Sequence, residues 1–363
     1  DGNAYHIPPI SMWASHGNVY WIETPYLESI LNGYPKGAEV VAYALAMAQR
    51  NEDINTFNLL FLPLGVFGIA CLSASLGVRP RLALAAGALY VLVPVNLNQA
   101  ATTYVDSAFA SSVIAMTALW LHIIQTKPPR VLPWVIPFGA SLGLVISIKS
   151  NGIALVGIAM LLLFLQMGKN LFPVKSAAGI ARSSHWNQIF TSFLLLGIMA
   201  AATGGTWYFR NYLKTGSPLY PVGLTFLGKT IFPGVPVAEA ISQESNTPQT
   251  LIELPGIARV LYTWLQDPSQ WPASIKGYDT RLAGMGFLWL LGCVPAVLLY
   301  FWINIKKRRN TSTGFGLLAI LIACGFFIMP MNWWARYTLW IYALGLPAFA
   351  WILEFFSVIH PGL

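Results

Sequence analysis

Of the thirteen carboxylates in 363 residues, two stand where a polar segment meets an apolar run. Asp1 opens Asp1-Gly2-Asn3-Ala4-Tyr5-His6-Ile7-Pro8, and Asp106 closes Thr102-Thr103-Tyr104-Val105-Asp106. A carboxylate at the edge of a low-dielectric region can act as a general base or hold a divalent cation, because water screens it poorly there. A competing reading makes Asp106 the cap of a helix beginning at Ser107, where it satisfies free amides and the dipole. His6 can assist Asp1 as a ligand or proton carrier, although a lone interfacial histidine is more often a hydrogen-bonded structural residue. His16 has a weaker claim of the same kind.

Three cations have comparable surroundings. Lys149 lies in Ser147-Ile148-Lys149-Ser150-Asn151-Gly152, a tight turn between two apolar runs. It can neutralise a phosphate, or simply snorkel to a membrane interface. Arg210 follows Trp207-Tyr208-Phe209, and Arg336 sits between Trp333-Trp334 and Tyr337. Interfacial anchoring explains the aromatic residues, and the guanidinium groups beside them also suit bidentate contacts with an anionic headgroup.

The elements that must position these residues are membrane spans. The chain is 56% hydrophobic and 9% charged, whereas a soluble domain carries roughly 25% charged residues. Apolar runs near bilayer-crossing length recur at 57–77, 82–98, 107–125, 131–148, 152–167, 188–208, 282–304, 313–330 and 338–356, which predicts an all-α polytopic membrane protein of about nine transmembrane helices. Basic residues collect in alternate loops: Arg79 and Arg81, Lys127 and Arg130, Lys169 with Lys175 and Arg182, and Lys306 to Arg309. The positive-inside rule makes these loops cytoplasmic. That assignment puts every acid except Glu354 on the external side or at its membrane edge. The net charge of +8 is then a topological signal, and no interleaved basic and aromatic patch points to nucleic acid. With the first residues external, a preceding span is expected upstream of Asp1.

Four regions follow. Residues 1–56 form a first external loop, in which stretches at about 4–16 and 38–50 are expected as short helices along the membrane surface. Residues 57–208 hold the first six spans, 209–281 a large external cap of partly helical character, and 282–363 the last three spans and a cytoplasmic C-terminus. Cys71, Cys293 and Cys324 fall within expected spans, far apart, as small core residues. Phosphate-loop, dinucleotide and zinc signatures are absent from the sequence.

Taken in order, these residues resemble the GT-C class of membrane glycosyltransferases, and within it the relatives of protein O-mannosyltransferases and aminoarabinose transferases. The resemblance spans most of the chain. It rests on Asp1 with Tyr5-His6 and Pro8, Tyr34-Pro35 with Glu39, Tyr104 with Asp106, Lys149, Arg210-Asn211-Tyr212 followed by Thr215 to Pro221, and Arg336-Tyr337. Where protein O-mannosyltransferases carry an adjacent Asp-Glu pair, this chain has Asp1-Gly2, a departure from that subgroup.

The resemblance implies transfer of a sugar from a polyprenyl-phosphate donor to a glycan, lipid or protein acceptor on the external face. It makes Asp1 the activating base and Asp106 its support, with a divalent metal ion as one means of support. It makes Lys149, Arg210 and Arg336 the phosphate ligands, with Tyr5, His6 and Tyr337 beside them. Membrane lipids are expected partners and nucleic acid is not. The rival reading is a transporter or flippase of a lipid-linked or small anionic solute, for which inverted repeats and charges deep inside spans would be expected.

Overall fold

The computed structural model describes residues 5–25, 27–49, 54–126, 132–169, 179–236, 247–264, 284–307, 312–329 and 331–359. The first loop holds α1 (Ile7–His16), α2 (Glu28–Gly33) and α3 (Gly37–Gln49). Two of these match the expected pair, and α2 is additional. Helix α1 has proline in its first turn, where a missing N–H costs nothing, and stops at Gly17, whose φ of 72° suits glycine.

The bundle follows. Helix α4 (Leu62–Ser75) continues a 3-10 turn at Ile54–Leu60, and α5 (Pro80–Val91) runs into α6 (Pro94–Ala100) across a 64° bend. Pro94 causes the bend, because it has no N–H for the Tyr90 carbonyl. The Asn96 side-chain amide donates to that carbonyl instead, at 2.9 Å. Next come α7 (Asp106–Thr126), α8 (Leu132–Ile148), α9 (Gly152–Lys169) and α10 (Gly179–Gly204), which breaks by 71° at Gly204-Gly205 into α11 (Thr206–Thr215). After the 209–281 segment, a π-helical stretch at Leu288–Cys293 leads into α14 (Val294–Lys307), then α15 (Ser312–Ile328). A 3-10 stretch at Ala335–Ile341 then leads into α16 (Tyr342–Ile359).

Among the described residues, each expected apolar run is largely helical. Four helices among the described residues are long and apolar enough to cross a membrane, or six if each bent pair counts as one span. The runs at 131–148, 152–167 and 313–330 are occupied by shorter apolar helices, so the figure of nine requires those three to cross as well. Helix α7 is the axis, with 78% of its apolar window buried. It packs against α4, α8, α9 and the Ala335–Ile341 stretch.

The 209–281 segment, expected as a partly helical cap, is described at 209–236 and 247–264. It includes α12 (Gln249–Ile252) and α13 (Gly256–Trp264), and also an antiparallel hairpin of β1 (Leu224–Phe226) and β2 (Lys229–Phe232). Leu227 and Gly228 join the strands with φ of 48° and 77°, the positive values a two-residue hairpin turn needs at both positions. A leucine at the first of them conceals the turn from compositional reading.

Candidate functional site

Asp106 is the first residue of α7, and its place is fixed from both sides. Just after it, the Ser107 hydroxyl donates to the Asn96 side-chain oxygen at 2.6 Å, tying α7 to the amide that repairs the α5–α6 bend. Just before it, the Asn58 amide nitrogen lies 3.1, 2.9 and 2.8 Å from the carbonyls of Gln99, Thr102 and Tyr104. A buried asparagine thus takes up the carbonyls of a loop that could not otherwise be dried.

The Asp106 carboxylate is 4% exposed and meets two cations. Lys149 Nζ donates to Oδ1, and Arg336 Nη1 lies 3.7 Å from Oδ2. Lys149 comes from the turn between α8 and α9, Arg336 from the start of the 335–358 span. Around them is an aromatic wall: Lys149 Nζ sits 3.9 Å from the Tyr337 ring centre, and the Arg336 guanidinium 4.5 Å from Tyr104 and 4.8 Å from Trp334. Burial pushes the Lys149 ammonium down, and the Asp106 charge and hydrogen bond oppose it.

A second buried cluster lies beyond Tyr104, whose ring is 6.2 Å from that of His6. His6 Nδ1 is 2.7 Å from Glu39 Oε1, and Lys36 Nζ is 3.3 Å from the same oxygen. Lys36 also donates to the Tyr5 carbonyl at 2.9 Å. Burial raises the Glu39 carboxyl, but Lys36 and His6 outweigh it and hold the group below the usual carboxylate range. Burial pushes Lys36 down against the pull of Glu39, and the Arg210 charge adds to the push. Burial, which favours the neutral ring, also drives His6 down, against its bond to Glu39. Tyr5 connects the clusters: burial raises its phenol, and the charges of Tyr337, Asp106, Arg336 and Glu39 all act on it.

Lys149, Arg336, Tyr337, Tyr5 and His6 therefore gather around Asp106 and Tyr104. Arg210 is held elsewhere. Its guanidinium donates to the Asn32 carbonyl and lies 5.1 and 4.7 Å from the rings of Trp21 and Trp207, clamping the first loop to α11. Asn211 adds a 2.8 Å bond to the Gly33 carbonyl. Asp1 and the expected Asp1–Asp106 cavity lie outside the described residues, as do Lys127, Arg130, Lys175, Arg308 and Arg309 of the expected cytoplasmic loops.

Sequence reading missed Lys36, Glu39 and Asn58 as organising residues. The i,i+3 spacing of Lys36 and Glu39 at a helix start was the available signal; Asn58, inside an apolar run, gave none beyond its polarity. A divalent metal does not fit at Asp106, since both carboxylate oxygens face cations that would repel it. Among the described residues no group of three or more His, Cys, Asp or Glu could hold a metal ion.

No protein family and no curated protein sequence matches the chain. Among solved structures it is similar to ArnT from Cupriavidus metallidurans bound to undecaprenyl phosphate, with 15% identity, a TM-score of 0.50, and coverage of 99% of this chain and 58% of that chain. The chain thus spans little more than half the length of that protein. Over that length it shares the fold of that protein, a helical polytopic membrane fold.

Proposed function

We propose that this protein transfers a sugar from a polyprenyl-phosphate donor to an acceptor at the external face of the membrane, with inversion at the anomeric carbon. The observation that carries this reading is the buried Asp106 carboxylate shared by Lys149 and Arg336 at the mouth of the bundle. Two cations on one carboxylate leave an excess positive charge in a place with little water, and an arriving phosphate offsets it. The fold supports the same conclusion, since the ArnT structure holds undecaprenyl phosphate.

In this mechanism Asp1 takes the proton of the acceptor hydroxyl. The freed oxygen attacks the anomeric carbon, and the bond from that carbon to the phosphate oxygen breaks with its electron pair on the carrier. Charge grows on the phosphate as the bond lengthens, and Lys149 and Arg336 stabilise it in the transition state more than in the bound donor. Asp106 positions both cations. Tyr104, Tyr337 and Trp334 exclude water and strengthen every charge contact. No metal enters any step.

A transporter would leave the sugar–phosphate bond intact. The full-length protein, reconstituted in vesicles with a panel of polyprenyl-phosphate sugars, is expected to give free polyprenyl phosphate and a glycosylated acceptor of inverted configuration. Arg336→Ala is expected to abolish that product while the protein still extracts as a folded species. Movement of intact donor across the bilayer, with no carrier released, would establish the transporter instead.

A further inference from the structure

Helix α11 leaves the axis of α10 by 71°. A helix that turns so far from a span runs nearly along the membrane plane. Its two faces are sharply different. Trp207, Arg210 and Asn211, at i, i+3 and i+4, face the first loop through the Trp21 and Asn32 contacts, and the Tyr208 hydroxyl donates to the Ile146 carbonyl of α8 at 2.8 Å. Phe209, Tyr212 and Leu213 form the opposite stripe and are 65%, 53% and 66% exposed. Three large, mainly apolar side chains adjacent on one helix face are costly to leave in water.

A second exposed apolar stripe lies on α10, the helix that α11 follows. On α10, Phe190, Leu194 and Ile198 repeat every four residues and are likewise exposed, as a span presents apolar side chains to acyl chains. The two stripes lie on either side of the Gly204-Gly205 break. From this geometry we infer that the Phe209–Tyr212–Leu213 face of α11 is seated in the headgroup–acyl boundary of the bilayer, so that α11 is an interfacial helix and the lipid surface its partner. Both stripes are exposed and apolar, and one environment, acyl chains, accommodates the two.

The inference also sets the depth of the site, and it holds whatever reaction occurs there. Ile146, which accepts the Tyr208 bond, lies three residues before Lys149. The Lys149–Asp106 pair is therefore level with α11 and with the lipid phosphates. Arg210, on the inner face, is separated from lipid by the thickness of one helix.

The test uses the full chain with Cys71, Cys293 and Cys324 changed to alanine and one new cysteine, Phe209→Cys or Leu213→Cys, carrying an environment-sensitive fluorophore. Ile198→Cys on α10 is the control. In phosphatidylcholine–phosphatidylglycerol vesicles, lipids with a nitroxide high on the acyl chain are expected to quench both α11 positions at least about twofold more than lipids labelled deep in the chain or aqueous iodide do. The deep label is expected to quench the Ile198 position. Stronger quenching by iodide would put the stripe in water, and quenching by no probe would put it against protein; either result overturns the inference. Leu213→Ser in place of the labelled variant, followed by hydrogen exchange of α11 in vesicles, gives a second reading without a bulky label: protection that persists in vesicles but is lost in lipid-free detergent-diluted protein supports the seat, and equal protection in both overturns it.

Discussion

At the start of the 335–358 span Arg336 faces Asp106 at 3.7 Å, and toward its other end Glu354 faces Arg79 at 2.7 Å. The two pairs are eighteen residues apart on one helical path, about 27 Å at 1.5 Å per residue. Their surroundings are opposite. The Arg336 and Asp106 side chains are 1% and 4% exposed, whereas Arg79 is 67% exposed. The shorter contact is thus the weaker one, because exposed charges keep most of their water and lose little when separated. A buried charge deprived of its partner has no such recourse. One end of the bundle is built to hold charge out of water, and that is the end where the candidate site lies.

The largest effect that would break this contrast belongs to Asp106→Asn. The variant leaves Lys149 and Arg336 without their shared carboxylate, and the expected loss is about 3–5 kcal/mol of stability, read as a fall in apparent Tm in nanodiscs. Added polyprenyl phosphate is expected to raise the variant's Tm by more than the wild type's, since the anion takes the place of the lost charge. A large fall that the anion does not relieve would separate the charge cluster from carrier binding.

These residues were legible as types and as members of one end of the bundle, but not as partners. Asp106 and Lys149 are 43 residues apart, and no local period links them; only the alternation of basic loops put Asp106, Lys149 and Arg336 at one face. Helix positions were readable because long apolar runs admit few alternatives in lipid. Arg210 shows the limit of that reasoning. It shares its expected side and aromatic flanks with Arg336, yet tertiary packing directs it to the Asn32 carbonyl. Glu39 stood only beside Tyr34-Pro35 as part of the resemblance, and only the approach of α1 turns it into the partner of His6. The close fit of α3 on α8, where a side chain at Gly37 would strike Ser147, is likewise a contact between distant segments that spacing cannot reveal.

A smaller effect tests whether the loop before Asp106 matters apart from its charges. Asn58→Leu removes the amide that serves three buried carbonyls. Losing this donor is expected to cost about 1–3 kcal/mol and to reduce transfer activity, with raised hydrogen exchange confined to residues 99–107. Intact activity in a destabilised variant would mean that Asp106 holds its place without this loop.

The His6–Glu39–Lys36 cluster predicts a pH dependence of stability. Burial lowers His6 from its ordinary 6.5, so below that pH the unfolded chain binds more protons than the folded one. The stabilising contribution is complete above 6.5 and is lost as pH falls toward the lowered folded value. Up to about 1.4 kcal/mol per pH unit is expected from one proton. His6→Gln should flatten the Tm profile in that window. Glu39, also held low, contributes its own loss only at more acidic pH, so a flattened profile in the window points to the imidazole. An unchanged profile would assign the dependence to another group.

The smallest effect is expected from Arg79→Ala, and the reason is more than exposure. Glu354 engages the other end of α5 in two ways: Oε1 meets the Arg79 guanidinium, and Oε2 accepts the Arg79 backbone N–H at 3.2 Å. The second bond survives the substitution, because alanine keeps its N–H. It also places a carboxylate at the N-terminus of α5, where the helix dipole favours negative charge. Arg79→Ala should therefore cost no more than about 1 kcal/mol, and that small loss should vanish in high salt. Glu354→Ala removes both contacts and should cost more than Arg79→Ala despite deleting the same ion pair. Equal losses in the two variants would mean that the guanidinium alone carries the interaction. A loss in Arg79→Ala comparable with that of Asp106→Asn would show that the two ends are not energetically distinct, and would remove the physical basis for locating the site at the Asp106 end.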